Sequence, residues 1–230
     1  MNRVIVFDVN ETLLDLAALD PLFTSAFGNA EVRREWFAQV LLCAMTTSLT
    51  GAYADFGVVT AAALERIAAR HRVGLSRSQR DRILGGMRTL PPHPEVPRAL
   101  ARLREGGLRL ACLTNSAPET AHAQIHNAGL LPYFEDIFSV DDVRRYKPAP
   151  EPYRMAAYRL GVDVAQVRLV AAHEWDTTGA IRAGCAAAYV ARDGTVPGPI
   201  GEIPDITGPD LDNVAEQILE RDGTGRVLQA

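Results

Sequence analysis

The chain has 230 residues, 47% of them hydrophobic and 23% charged, with a formal net charge of -4. That length can hold one large domain or a core with a smaller companion, in an ordinary globular composition. Acids and bases are interspersed, so no basic stripe offers itself to a nucleic-acid backbone or a membrane surface, and neither partner is expected.

The amino-terminal apolar stretch is far too short for the core of a signal peptide, and no apolar run approaches a membrane span, so a cytoplasmic location is expected. Cys43, Cys112 and Cys185 are odd in number, lie in apolar surroundings and lack paired metal spacing. Reduced thiols are expected rather than disulfides or zinc ligands.

The first element is Val4-Ile5-Val6-Phe7, closed by Asp8. An apolar run ending in a carboxylate reads as a buried parallel strand delivering an acid to the sheet edge where open α/β folds bind ligands. The plainer alternative is a strand whose Asp caps a turn. From Asp15 to about Leu90 the pattern gives four helices and no convincing strand. Asp20-Pro21 supplies an N-cap and a first-turn proline. Val32, Trp36, Phe37, Val40, Leu41, Ala44 and Met45 repeat at helical spacing, and Ser76-Arg77-Ser78-Gln79 has the form of a capping box. The stretch 90–97 carries four prolines and reads as a stiff return hinge.

From Arg98 onward, candidate strands at 108–114, 136–140, 167–172 and 186–191 alternate with helical segments at 96–105, 119–128 and 152–160. The helices stop at Gly106-Gly107, Gly129 and Gly161. The expected fold is α/β: a doubly wound, Rossmann-like parallel sheet built from residues 1–14 and 93–230, with an all-helical cap inserted at 15–92.

Three further clusters fall where the carboxyl edge of that sheet belongs. Thr114-Asn115-Ser116-Ala117-Pro118-Glu119 ends a strand and opens a helix, with Ser116 and Glu119 spaced as a capping box; it is either an anion seat or simply a well-capped helix. Tyr146-Lys147-Pro148, followed by Tyr153, is a weak signal alone, since a lone lysine is usually a solvated charge. Ala172-His173-Glu174-Trp175-Asp176 packs three titratable groups against a strand end, which marks functional sites more often than surfaces.

Taken in order, Asp8 with Thr12, Thr114-Asn115, Lys147-Pro148 and Asp176 resemble the four motifs of the haloacid dehalogenase superfamily. More narrowly, 8–15, 113–118, 146–148 and 175–180 resemble the L-2-haloacid dehalogenases, over nearly the whole chain and including a helical cap. The resemblance implies that Asp8 attacks the α-carbon of a short-chain L-2-haloalkanoate, expels halide ion and forms an ester, which water then cleaves to a D-2-hydroxy acid. It implies no cofactor. Lys147 would hold Asp8 ionised, Tyr153 would steady that lysine, and Asp176 would orient Lys147 or the water. Thr114, the backbone at Val9 and Asn10, and the Asn115 amide would seat the substrate carboxylate.

The superfamily's phosphatases resemble one another in carrying a general-acid Asp two residues after the nucleophile and acids near the last motif for Mg²⁺. Here the second position is Asn10, and Ala171-Ala172 precede His173, so no metal is expected, although Asp8, Glu174 and Asp176 could still gather a cation. Relatives commonly have serine and asparagine at 171 and 173 and glycine at 11; this chain has Ala171, His173 and Glu11. The changes read as a pair, with Glu11 orienting His173 as general base; the alternative is a hydrogen-bonded rim histidine. Phe37 stands where many relatives place a halide-binding arginine, leaving Asn115 and the aromatic residues Phe37, Tyr53, Phe56 and Trp175 as candidates for the leaving-group pocket, or as simple packing. The cap's apolar face would also suit a homodimer. A phosphatase or phosphonate hydrolase of the same superfamily, and a catalytically retired binding protein, are the competing readings.

Overall fold

The structure, a computed structural model, describes residues 3–192, 195 and 198–223; residues 1–2, 193–194, 196–197 and 224–230, assigned above to the core, lie outside them. Six parallel strands, β1 (Val4–Phe7), β2 (Arg109–Thr114), β3 (Asp136–Ser139), β4 (Val167–Ala171), β5 (Ala186–Val190) and β6 (Ile206–Gly208), form one sheet in the order β3-β2-β1-β4-β5-β6. The chain winds outward from β1 through β2 to β3, then crosses to β4 and continues to β6. The β1/β4 boundary is therefore the topological switch point, where such sheets open a crevice at their carboxyl ends.

Alternate strand residues face opposite layers, as the two-residue pleat demands. Ile5 and Phe7 join a cluster with Leu100, Leu103, Ile125, Val214 and Ile218 from α5 (Val96–Glu105), α6 (Pro118–Asn127) and α9 (Leu211–Asp222). Val4 and Val6 face the other layer, with Ala156 and Leu160 from α7 (Pro150–Leu160) and Ala180 and Ala183 from α8 (Glu174–Ala183). Both faces are covered, which is why the strands read as continuous apolar runs.

Between β1 and α5 lie α1 (Asp20–Phe27), α2 (Val32–Thr50), α3 (Phe56–His71) and α4 (Arg77–Gly86). Their apolar faces, centred on Trp36, Phe23, Val40, Leu64 and Ile67, are continuous with the Ile5/Phe7 layer. The entering and leaving segments pair: Asp15 N donates to Pro91 O at 2.9 Å and His93 N donates to Leu13 O at 3.0 Å. Ser76 and Gln79 form the expected capping box. Asp20 does not act as an N-cap. Asp15 caps a preceding 3-10 turn at Leu16–Leu19 by accepting from Ala17 N, and Asp20 is already the first residue of α1, free to accept from Arg33.

Strand β6 and helix α9 had no sequence signal strong enough to place them. The strand is three residues long, and α9 is N-capped by Asp210, whose side chain accepts from Asn213 N. Both are tied to the sheet by buried Arg168 on β4, which ion-pairs with Asp205 and Asp222. No helix among the described residues is long and apolar enough to cross a membrane. The three cysteines are free; Cys112 and Cys185 are buried and Cys43 is half-buried.

Candidate active site

Three strand ends converge at the switch point. Asp8 leaves β1 with its backbone N donating to Val170 O at 3.0 Å, which fixes it against β4. The turn that follows places Thr12 directly beneath: its hydroxyl donates to Asp8 Oδ2 at 2.7 Å and accepts from Ala172 N at 2.9 Å. Thr12 thus stitches the β1 turn to the end of β4 through the nucleophile candidate itself. Glu11 takes the left-handed conformation, φ 62°, a backbone region that ordinarily favours glycine. Its side chain is thereby available to the crevice.

Lys147 is fully buried and lies between two carboxylates, with Nζ 2.8 Å from Asp8 Oδ1 and 2.6 Å from Asp176 Oδ2. A third hydrogen bond, to Leu113 O at 3.0 Å, uses the remaining ammonium proton. Tyr153, expected to steady that lysine, makes no hydrogen bond to it. Its hydroxyl donates to Asp176 Oδ1 at 2.6 Å, so it supports Lys147 only through Asp176. The Asn115 side-chain carbonyl accepts from Lys147 N at 3.1 Å and fixes the loop from the β2 side.

The electrostatics follow from this sharing. Burial would raise the Asp8 carboxyl, but Lys147 and His173 outweigh it and hold Asp8 far below the usual carboxylate range. Burial opposes the charge on Lys147, yet Asp176 and Asp8 push the ammonium above its ordinary value. Asp176 is raised, because burial and the Asp8 charge together exceed the pull of Lys147 and Tyr153. Asp8 is therefore the more firmly ionised of the two acids.

His173 closes the other side. Its Nε2 lies 2.9 Å from Glu11 Oε2 and its Nδ1 lies 3.3 Å from Asp8 Oδ2. The Nδ1 contact is not directed well enough to be a hydrogen bond, so that buried nitrogen is unsatisfied. Burial disfavours the imidazolium, but the two carboxylates override it and push His173 up to about 10. Trp175 stacks on one face of the ring at 5.1 Å, and Phe37 from α2 approaches at 6.4 Å. Lys147 Nζ also lies 5.8 Å from the Trp175 ring centre.

Asn10 stands where a second acid would be needed for proton donation. Its amide group donates to Ser116 Oγ at 3.3 Å and its carbonyl accepts from Gln124 at 2.9 Å. Ser116 does not cap α6, whose N-cap is Ala117 without a side-chain bond. Instead Ser116 N donates to Thr114 Oγ1 at 3.1 Å, which shapes the turn beside Asp8. Ser116 was legible only as half of a capping box and was missed as part of the site.

Tyr53 and Phe56 pack on Tyr146, with ring centres 5.1 and 6.0 Å away, one residue before Lys147. The Tyr53 hydroxyl donates to Asp141. Glu174 is turned away from the carboxylate pair and accepts from Gly198 N at 2.7 Å and Gly201 N at 2.9 Å. It cannot join Asp8 and Asp176 around a cation in this arrangement, and no group of three acids, histidines or cysteines arranged for a metal occurs among the described residues.

The family model described as haloacid dehalogenase-like hydrolase matches residues 2–184. The chain is 34% identical to the (S)-2-haloacid dehalogenase of Pseudomonas sp. (strain YL), covering 87% of this chain and 88% of that protein. It is 32% identical to haloacetate dehalogenase H-2 of Moraxella sp. (strain B), covering 94% and 97%. The solved L-2-haloacid dehalogenase of Xanthobacter autotrophicus with chloropropionic acid covalently bound superposes with a TM-score of 0.88, at 28% identity, over 95% of this chain and 98% of that one. With a buried Asp-Lys-Asp triad at the switch point of a 3-2-1-4-5-6 sheet and this likeness along almost its whole length, the chain belongs to the haloacid dehalogenase-like hydrolases, among the L-2-haloacid dehalogenases.

Proposed function

We propose that the protein hydrolyses short-chain L-2-haloalkanoic acids to D-2-hydroxy acids through an ester on Asp8. The observation that carries this reading is the setting of Asp8: a buried carboxylate kept ionised by Lys147 and His173, hydrogen-bonded by Thr12, and with no second acid two residues on. A carboxylate so held is an oriented nucleophile, because the donors that suppress its protonation also fix its lone pairs. Asn10, locked between Ser116 and Gln124, offers no carboxylic proton for a phosphoryl leaving group.

In the first step an Asp8 oxygen displaces halide at the α-carbon with inversion. Thr114, Asn115 and the backbone of Val9 and Asn10 lie at the adjoining strand ends and would seat the substrate carboxylate, with Phe37 and Trp175 walling the apolar side. In the second step water attacks Cγ of Asp8. Lys147 Nζ and Thr12 Oγ1 already point at the Asp8 oxygens, so they stabilise the oxyanion without reorganisation.

His173 fits the role of base for that water, with Glu11 holding Nε2 and Nδ1 left without a hydrogen-bond partner on the Asp8 side. In the resting protein the ring is protonated, held by both carboxylates. Esterification cancels the Asp8 charge, so the imidazolium loses one of its two acids and releases its proton to solvent. The neutral ring then takes a proton from water. The second water proton leaves on the alkoxide, which restores both the Asp8 carboxylate and the His173 imidazolium. Proton release thus accompanies ester formation.

The helical segment 15–92 serves in this reading as the cap over a core of 1–14 and 93–230, and the working protein is a cytoplasmic homodimer. A single turnover with L-2-chloropropionate in ¹⁸O water tests the chemistry. Label retained on Asp8 is the expected result; label confined to the hydroxy acid removes the ester. His173→Ala should accumulate the Asp8 ester, detectable by intact mass, and unimpaired turnover in that variant removes the base.

A further inference from the structure

The helical segment 15–92 brings one buried charged side chain to the edge of the crevice. Arg33 lies in the first turn of α2, four residues and one helical turn before Phe37, so both project from one face. It is only 5% exposed. Nε lies 2.5 Å from Asp20 Oδ1 on α1, and Nη1 lies 3.6 Å from Glu11 Oε1. Glu11 in turn spends its other oxygen, Oε2, on His173 Nε2. Charges therefore alternate in a continuous row from cap to nucleophile: Asp20, Arg33, Glu11, His173, Asp8. A buried guanidinium is costly unless it is paired, and this one is paired on both sides.

We propose that Arg33 is a positioning residue for the hydrolytic half-reaction, in which its guanidinium restrains the Glu11 carboxylate and so sets both the aim of His173 Nδ1 and the readiness of the ring to give up its proton. The inference rests on His173 acting as the base. A cation on the far side of Glu11 weakens the pull of that carboxylate on the imidazolium, in opposition to the holding effect of Glu11 and Asp8. Asp8 and Glu11 touch the ring nitrogens, and Phe37 and Trp175 flank the ring without charge. Lys147 stands behind Asp8 with Asp176 beyond it. Asp15, Arg34, His93, Arg192 and Asp210 line the same cleft of about 760 Å³, and His93 contacts the Glu11 backbone oxygen rather than its carboxylate. Among the described residues, Arg33 and His173 are the cationic groups paired with the Glu11 carboxylate.

The role separates the two half-reactions. Arg33→Gln should leave the pre-steady-state halide burst within about twofold of the native rate, because Asp8, Lys147 and Thr12 are untouched. Ester hydrolysis should slow about tenfold at neutral pH, with the rising limb of its pH profile displaced upward by about one unit. Intact mass at steady state should show a larger Asp8-ester fraction. Arg33→Lys, which keeps the charge and loses the fork, should fall between, and it carries the same test should the glutamine variant fail to fold. An equal slowing of burst and hydrolysis, or a hydrolysis limb that does not move in either variant, overturns the inference. His173→Gln run alongside separates the two levels. If that variant still hydrolyses its ester at the native rate, the base assignment fails; if it stalls while both Arg33 variants match native, only the role of Arg33 fails.

Discussion

The proton on His173 can be weighed by pH. Replacing His173 with Gln removes a group whose proton is held up to about 10 in the folded protein, against an ordinary 6.5. A group raised on folding contributes its stabilisation in full below its unfolded value and loses it as pH climbs through the folded value. The loss therefore falls between about pH 6.5 and pH 10. At about 1.4 kcal/mol per pKa unit, the full window amounts to roughly 5 kcal/mol as an upper bound, with a slope approaching 1.4 kcal/mol per pH unit inside it. For a chain of this size 1 kcal/mol moves Tm by about 2–4 °C. Native protein should then lose about 3–5 °C of Tm per pH unit from pH 7 to pH 9.5 beyond what His173→Gln loses, measured by circular dichroism at half-unit intervals. Asp8 does not enter this window, because a depressed carboxyl contributes above its unfolded value and is lost only in acid. Parallel curves for the two proteins would refute the claim that the carboxylates hold this ring protonated.

Other expectations bear on the same cluster. Lys147→Met leaves Asp8 and Asp176 buried without their cation, so it should cost about 3–5 kcal/mol in urea unfolding and remove at least 10³-fold of kcat/KM for halide release. Thr12→Val deletes a charge-assisted bond to Asp8 and the acceptor for Ala172 N; a kcat/KM loss of about 10- to 100-fold is expected, and native kinetics would show the bond to be idle. Gly179→Ala puts a Cβ 2.5 Å from Pro148 Cβ and 2.7 Å from Tyr153 Oη, so it should destabilise by about 1–3 kcal/mol and lower kcat/KM through the displaced Lys147 loop. Halide release from L-2-chloropropionate should survive excess chelator unchanged, and loss of activity restored by Mg²⁺ would overturn the metal-independent reading.

What the sequence made legible, and what it hid, divides by locality. β1 and its terminal Asp8 were readable because the strand is buried on both faces and so unbroken in its apolar pattern. The capping box at Ser76 and Gln79 needed only a four-residue signature. Asp20 and Ser116 misled the same kind of reading, since a side chain with cap chemistry was used instead across space, Asp20 for Arg33 and Ser116 for Asn10. Arg33 was invisible for a related reason: in a helix whose first turn reads Val-Arg-Arg-Glu, nothing local separates a solvated arginine from a buried one. Tyr153 was close in sequence to Lys147, yet a helical turn turned its hydroxyl toward Asp176. β6 was too short to carry a period.

The lysine shared by two acids also has a consequence for biosynthesis. Its partners lie 139 residues upstream and 29 residues downstream, so a nascent chain that has emerged only as far as α7 carries the attacking group without the residues that complete its cage. Until β4 and α8 dock, Lys147 has only one of its two acids and both the Ala172 anchor of Thr12 and the His173 side of the crevice are missing, so Asp8 is not yet enclosed or aimed for attack on carbon. Competence to break a carbon–halogen bond thus arrives late on the ribosome, with closure of the central sheet.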